Sequence, residues 1–358
     1  MTARGSMDAH AATTRTVAAK RLLQRVFSSR YIAAVWLPLS WERISIFALH
    51  RFRAPELNVD GHDPALLART LERLRRERYA ILSLEEAVNR LKDRSDLPPR
   101  SVVFTVDDGY ADFAAVAAPV FSAFDVPVTV FVTTGFIEGT HWLWWDQISY
   151  VLGRTRASSL SVPLDGTGVT LQLGDEVERS RIARQVAVDA TRLPETARKA
   201  FIEAVAAAAD VEIPAAPPTP YAAMTWADCR RLENQGVSFA PHTVSHPILI
   251  RTTEADAAWQ LSESWKRLRD QVAHPVPIFA YPNGDYSPRE FALLERAGLM
   301  AAVTTEPRYA SADSFHETHG RFMIPRFPYP DRPNNVCLTA AGFTRVSAAV
   351  RRAFAFVQ

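Results

Sequence analysis

Val102-Val103-Phe104-Thr105-Val106-Asp107-Asp108-Gly109-Tyr110 sets two adjacent carboxylates where an apolar run gives way to a glycine. The run reads as a buried strand and Gly109 as the turn that ends it. Strand side chains alternate between faces, so neighbouring aspartates at a strand end can do different work, one holding a metal and the other handling a proton. A second stretch, Ser238-Phe239-Ala240-Pro241-His242-Thr243-Val244-Ser245-His246-Pro247, places two histidines four residues apart, again past an apolar segment. That spacing lets both rings point the same way from one helical or tight turn. Two neutral imidazoles and one carboxylate make a facial ligand set that leaves positions open for water and substrate, which suits a hydrolytic metal such as zinc. Singly, each stretch also reads as a turn, a helix cap or a surface loop. Together and in this order they outline a metal site.

Around these stretches, apolar segments alternate with helical patterns. Residues 44–49 precede a helical pattern over 64–78, 101–106 precede one over 111–124, and 128–132 follow. The rhythm then breaks after the tryptophan-rich 142–145. A hairpin is predicted with arms at 160–162 and 169–173 and Asp165-Gly166 as its turn. Helices over 176–190 and 195–209 follow, then a proline-rich linker over 214–220, so about 153–220 reads as an inserted cap. Alternation resumes with 226–235, 237–240, 254–272, 278–280 and 288–297. This is the pattern of a parallel α/β architecture. Functional residues of parallel barrels gather at the C-terminal strand ends, so Asp107, Asp108, His242, His246 and Asn283 are expected on one rim. Residues 335–354 read as a basic amphipathic C-terminal helix.

The 358 residues are 47% hydrophobic, enough for a sizeable core. Forty-one basic and 39 acidic residues nearly cancel, leaving no field to attract nucleic acid. Cys229 and Cys337 stand far apart, which indicates no disulfide framework and permits a reduced, cytoplasmic home. Residues 1–43 read as a basic extension ahead of a catalytic domain over 44–330, with 331–358 as the terminal helix. The apolar stretch 31–39 holds Pro38 and lacks a small-residue cleavage site, so it fits a signal peptide poorly, and it is too short to span a bilayer.

With these motifs in view, the chain resembles the polysaccharide deacetylase superfamily, the NodB homology domain of carbohydrate esterase family 4. Thr105 to Gly109 is similar to its Thr-Phe-Asp-Asp-Gly motif with Val106 for phenylalanine, and His242 to His246 to its His-Ser/Thr-x-x-His motif. Phe279-Ala280-Tyr281-Pro282-Asn283-Gly284 is similar to the Phe-Ala-Tyr-Pro-x-Gly version of its third motif. The resemblance implies a distorted, incomplete (β/α)7 barrel that binds one divalent ion, zinc first, with cobalt, nickel and manganese as alternatives. It implies Asp108, His242 and His246 as ligands, Asp107 as general base and the Asn283 amide as oxyanion donor. The substrate it implies is an N-acetylated amino sugar of a polysaccharide, an oligosaccharide or a lipid-linked glycan precursor, as in exopolysaccharide or cell-envelope biosynthesis. Alternatives are a catalytically impaired carbohydrate-binding protein of the same fold and a hydrolase of a non-acetyl amide.

Two departures stand out. The arginine that often orients the catalytic aspartate is replaced by Ala280, and Arg326 is the candidate substitute. The Leu-x-His motif that supplies the general acid has no counterpart, which leaves His50, after the first strand, as proton donor, with His316 and His319 weaker. Tyr110 and Trp145 are expected to border the sugar, with His141, Trp142 and Trp144 nearby, and Asp146 to cap a helix starting at Gln147. Basic and aromatic residues over 21–41 together predict peripheral membrane contact. A chain lacking residues 1–41 should therefore lose co-sedimentation with anionic liposomes, and equal sedimentation would remove the basis for that contact.

Overall fold

The computed structural model describes residues 41–164 and 167–343. β1 (Arg43–Leu49) leads through α1 (Pro64–Arg76), β2 (Ala80–Ile81) and α2 (Leu84–Asp93) to β3 (Ser101–Val106). A π-helical turn (Phe113–Ala117) and α3 (Ala118–Ala123) connect to β4 (Val128–Val132). The single helix predicted over 111–124 is thus wound in two ways. Pro119 has no N–H to donate and its ring crowds the preceding turn, and the wider π turn just upstream accommodates it.

After the short α4 (Thr134–Ile137), the cap begins with α5 (Trp144–Arg154), continues through the antiparallel β5 (Ser159–Leu164) and β6 (Thr167–Gln172), and ends with α6 (Glu176–Ala190) and α7 (Glu195–Ala208). The predicted turn, Asp165-Gly166, lies outside the described residues. These elements bury a core of their own, including Ile148, Val162, Val186, Phe201 and Val205. The barrel resumes with α8 (Trp226–Glu233), β7 (Val237–Pro241), α9 (Glu254–Gln271), β8 (Ile278–Ala280), α10 (Pro288–Arg296) and β9 (Ala301–Val303). β10 (Ala310–Ser311), α11 (Ala312–His316), β11 (Phe327–Pro328) and α12 (Pro333–Ala340) complete the described chain. Of the C-terminal helix predicted over 335–354, the first part forms α12; Ala341 caps it and Gly342 follows at φ 89°, while 344–354 lie outside the described residues. Residues 1–40, with the predicted basic extension, and 344–358 lie outside the described residues.

β1, β3, β4 and β7 form a continuous parallel sheet. β8 and β9 pair in parallel, Val303 bridges Ile324 in parallel, and β11 returns in parallel to β1 through Phe47↔Phe327. The circuit therefore holds seven parallel segments with a break between β7 and β8. One backbone bond, Val276 N–H to Phe239 O at 2.8 Å, spans that break. This is the incomplete barrel that the resemblance implied.

Parity along the strands separates two cores. Ile46, Val103, Ala240, Ile278, Ala280 and Val303 pack inside the circuit, with Leu84, Val88 and Leu91 of α2 joining them. Phe47, Phe104, Val130, Phe239 and Ala302 face outward beneath the helices. The same inward parity carried two residues on gives Thr105 and His242, and carried four gives His50 and Asp107, so one alternation builds both the core and the rim. Among the described residues, no helix is long and apolar enough to cross a membrane.

Leu71 of α1 is fully buried, whereas Val177 of α6 is 76% exposed. Leu71→Ala should cost about 2–5 kcal/mol in denaturant unfolding, and Val177→Ala less than about 0.5 kcal/mol. Equal costs would contradict this packing.

Candidate metal and catalytic site

The β1–β3 ladder runs one step past the strand, where Asp107 N–H donates to Leu49 O at 2.9 Å. The chain then turns through Asp108 at φ 75° and Gly109 at φ 93°. Aspartate tolerates the left-handed region, and at Gly109 a Cβ would sit 2.9 Å from the Ile137 side chain, so glycine is required there. Beyond β7, Thr243 at φ 68° and His246 at φ 56° form a tight turn, not a helix. Gln260 of α9 holds this turn from beneath. Its Oε1 accepts from Val244 N–H (2.8 Å) and Ser245 N–H (3.1 Å), and its Nε2 donates to Ser245 Oγ at 2.7 Å. Sequence reading missed Gln260, a buried amide on a helix whose only signal was its misfit with the apolar face.

The turn brings Asp108 Oδ1 to 3.6 Å from His242 Nε2 and 3.4 Å from His246 Nε2. All three residues are buried, with ligand atoms within 4.8 Å of one another. His242 Nδ1 lies 2.7 Å from Ala280 O, so the Nδ1–H donates there and Nε2 keeps its lone pair toward Asp108. Burial holds both histidines below their ordinary range, His242 down to about 4, so both imidazoles are neutral donors. Burial, aided by Asp107 and Asp146, pushes the Asp108 carboxyl well up, and its Oδ1 has no hydrogen-bond partner among the described residues. A partnerless buried oxygen between two neutral nitrogens fits a divalent cation in composition and spacing.

Asp107 lies in the opposite electrostatic state. Burial favours its neutral form, but the Arg326 charge and hydrogen bonds outweigh that and hold it well below the carboxylate range. Arg326, fully buried, donates from Nη1 to Oδ1 and from Nη2 to Oδ2, both at 2.7 Å. Its fork is itself fixed by Thr304 O and Thr105 Oγ1, each at 3.0 Å. His50 Nε2 stands 3.8 Å from Asp107 Oδ2, beyond hydrogen-bond reach, on a half-exposed side chain.

One cavity of about 310 Å³ includes His50, Asp107, Asp108, Trp145, His246 and Asn283 in its wall. Tyr110 also lines it. The Trp145 ring packs edge-on to His246, with centroids 4.5 Å apart, and its Nε1–H donates to Tyr110 Oη at 3.1 Å. Tyr110 in turn donates to Asp146 Oδ2 at 2.7 Å. The expectation that Asp146 caps a helix is corrected: α5 starts at Trp144, so Asp146 lies within its first turn and faces inward. Burial pushes its carboxyl up to about 7, with Tyr110 and Arg51 pulling the other way. Asn283 has φ 61°, and its backbone N–H donates to no acceptor among the described residues. Gly284 behind it is at φ 79°, where a Cβ would collide with the Thr305 hydroxyl. Three of the histidines named from the sequence lie elsewhere: His141 against Thr140, His316 on Lys92 O and His319 stacked on Phe291.

A parallel barrel with an Asp-Asp strand end and a facing histidine turn defines a class of hydrolytic site. Residues 94–156 and 200–302 match the family model described as polysaccharide deacetylase. Comparison with curated proteins gives no match. Among solved structures, the chain is similar to the deacetylase PplD of Streptococcus pyogenes in complex with acetate. Identity is 21% and the TM-score 0.55, over 84% of this chain and 99% of that one. It is also similar to a polysaccharide deacetylase from Bacillus cereus, at 13% identity and a TM-score of 0.51 over 84% and 69% of the two chains. A third likeness is to IcaB from Ammonifex degensii, at 16% and 0.50 over 84% and 97%. These likenesses establish the fold.

Gln260→Leu keeps the volume but leaves the Val244 and Ser245 amides without an acceptor. About a 10- to 100-fold loss of zinc affinity is expected, read by competition with a chromogenic chelator. Unchanged affinity would mean that the turn holds itself.

Proposed function

We propose that the protein hydrolyses the N-acetyl group of an amino sugar in a polysaccharide, an oligosaccharide or a lipid-linked glycan, with one divalent ion, zinc first, held by Asp108, His242 and His246. The observation that carries this reading is the pairing of opposite states in one cavity. A partnerless Asp108 oxygen faces two neutral imidazoles, beside an Asp107 that Arg326 keeps ionised.

When bound, the ion supplies Lewis acidity toward the acetamide carbonyl and acidifies water. Asp107 accepts the proton of the attacking water as the new C–O bond forms, and Arg326 fixes the carboxylate plane for that transfer. The Asn283 N–H stabilises charge on the carbonyl oxygen. The C–N bond then breaks, and His50 delivers a proton to the leaving nitrogen, giving acetate and a free amine. Trp145 and Tyr110 wall the sugar and brace His246. The catalytic unit is residues 44–330 with the cap at about 153–220 inserted.

The Asp107 pKa is lower in the folded than in the unfolded state. Its stabilising contribution is therefore complete above about pH 4 and fades only as pH falls toward the folded value. A base held this low is a weak one, so the reading requires an acidified water, and activity should vanish on chelation.

Acetate release from N-acetylglucosamine oligomers, measured with zinc restored, tests the proposal. Asp107→Asn should lower kcat about 100-fold or more while zinc content stays near one per chain. His242→Ala and Asp108→Asn should lose both. Zinc and glycan binding without acetate release dependent on Asp107 would leave a carbohydrate-binding protein instead.

A further inference from the structure

The cavity that contains Asp107 continues past the reacting centre onto the cap. Trp144 of α5, Ala187 and Val188 of α6, and Ile248, two residues beyond His246, lie in the same wall. Val188 is 56% exposed in this wall, and Ile248 is fully buried. An aliphatic side chain open to water in the wall of a reaction cavity marks a surface that something apolar covers.

The wall is not a platform for sugar rings. Ala187, Val188 and Ile248 are aliphatic, and the hydroxyl of Thr191, which lines the same stretch, already donates to Val188 O at 2.7 Å, so a sugar hydroxyl would lose water there with little compensation. Trp144 is already engaged. The Arg198 guanidinium lies 4.8 Å from its ring centroid and the edge of Trp145 at 5.3 Å. Arg198 is fully buried and pairs with Glu195, so the indole is held as a fixed panel. A hydrocarbon chain, by contrast, gains from every apolar area it covers here. Because the cavity is continuous with Asp107 and Asp108, a group on Val188 while the acyl group sits at the reacting centre belongs to the same molecule.

We propose that the cap forms a subsite for an apolar chain carried by the amino sugar, so that the preferred substrate is amphiphilic. The chain is attached either to the anomeric oxygen, as in a lipid-linked glycan, or to the nitrogen, as a longer acyl group. This deepens the deacetylase reading and rests on it for the sugar.

The test is calorimetry on zinc-loaded Asp107→Asn protein with three ligands: the methyl and octyl glycosides of N-acetylglucosamine, and methyl N-octanoylglucosaminide. At least one octyl ligand should bind about 10-fold more tightly than the methyl glycoside, and which one does so identifies the attachment. Adding Val188→Asp should bring that ratio close to one, whereas Val188→Leu should keep it. Equal affinities, or a ratio that Val188→Asp leaves untouched, overturn the subsite. Acetate release by the unaltered protein is read separately. Release without chain preference keeps the deacetylase and removes the subsite; chain preference without release does the reverse.

Discussion

The paired hydrogen bonds from Arg326 to Asp107 are the constraint around which the rim is organised. Both groups are buried, so neither is tolerable alone; removing one partner of such a pair costs about 3–5 kcal/mol because the other charge is stranded. The pair joins β3 to the segment entering β11, on opposite sides of β1. Thr105 and Thr304 then take two of the three remaining guanidinium donors, so the fork has one orientation and the carboxylate has one plane.

That arrangement needs room, and the barrel interior supplies it. Three inward positions near the rim are small, Ala48 on β1, Ala240 on β7 and Ala280 on β8, while larger side chains such as Ile46 and Val103 fill the layer below. A long cation enters from the final parallel segment past the Ala48 methyl and lies 5.4 Å from the ring centroid of Phe131, which is in register with Ala240. Ala280 has a second use, since its carbonyl fixes the tautomer of His242 across the break between β7 and β8. The least regular part of the barrel is thus where a donor ring is oriented.

Much of this was legible in the sequence where period and chemistry coincide. β3, β4, β8 and α6 have the boundaries that alternation and helical spacing predict, and Asp108, His242 and His246 converge because each follows a strand. The two-residue strands β2, β10 and β11 were not legible, since their pairing comes from neighbours and leaves no period to read. Arg326 was readable as a substitute for an arginine missing at Ala280, but not as a buried fork, because burial of a charge is decided by partners distant in sequence. Asp146 was misread for the same reason: an acid near a helix start looks like a cap until Tyr110 is seen to face it. Gln260 lies sixteen residues from the amide it holds and carries no local mark of that task.

The cap departs from the barrel and returns to it at almost one point. Its returning strand of chain lies against the aspartate turn, with Ala111 N–H on Ala222 O, Met224 N–H on Gly109 O and Arg51 reaching Pro220 O. The barrel therefore meets this excursion through a narrow seam, and the excursion keeps a separate core of its own. Such a plan makes the cap exchangeable. Evolution or an engineer can recut the wall from β5 through α7 and splice it at the seam, while α5 stays in place to keep Trp145 against His246 and Asp146 on Tyr110.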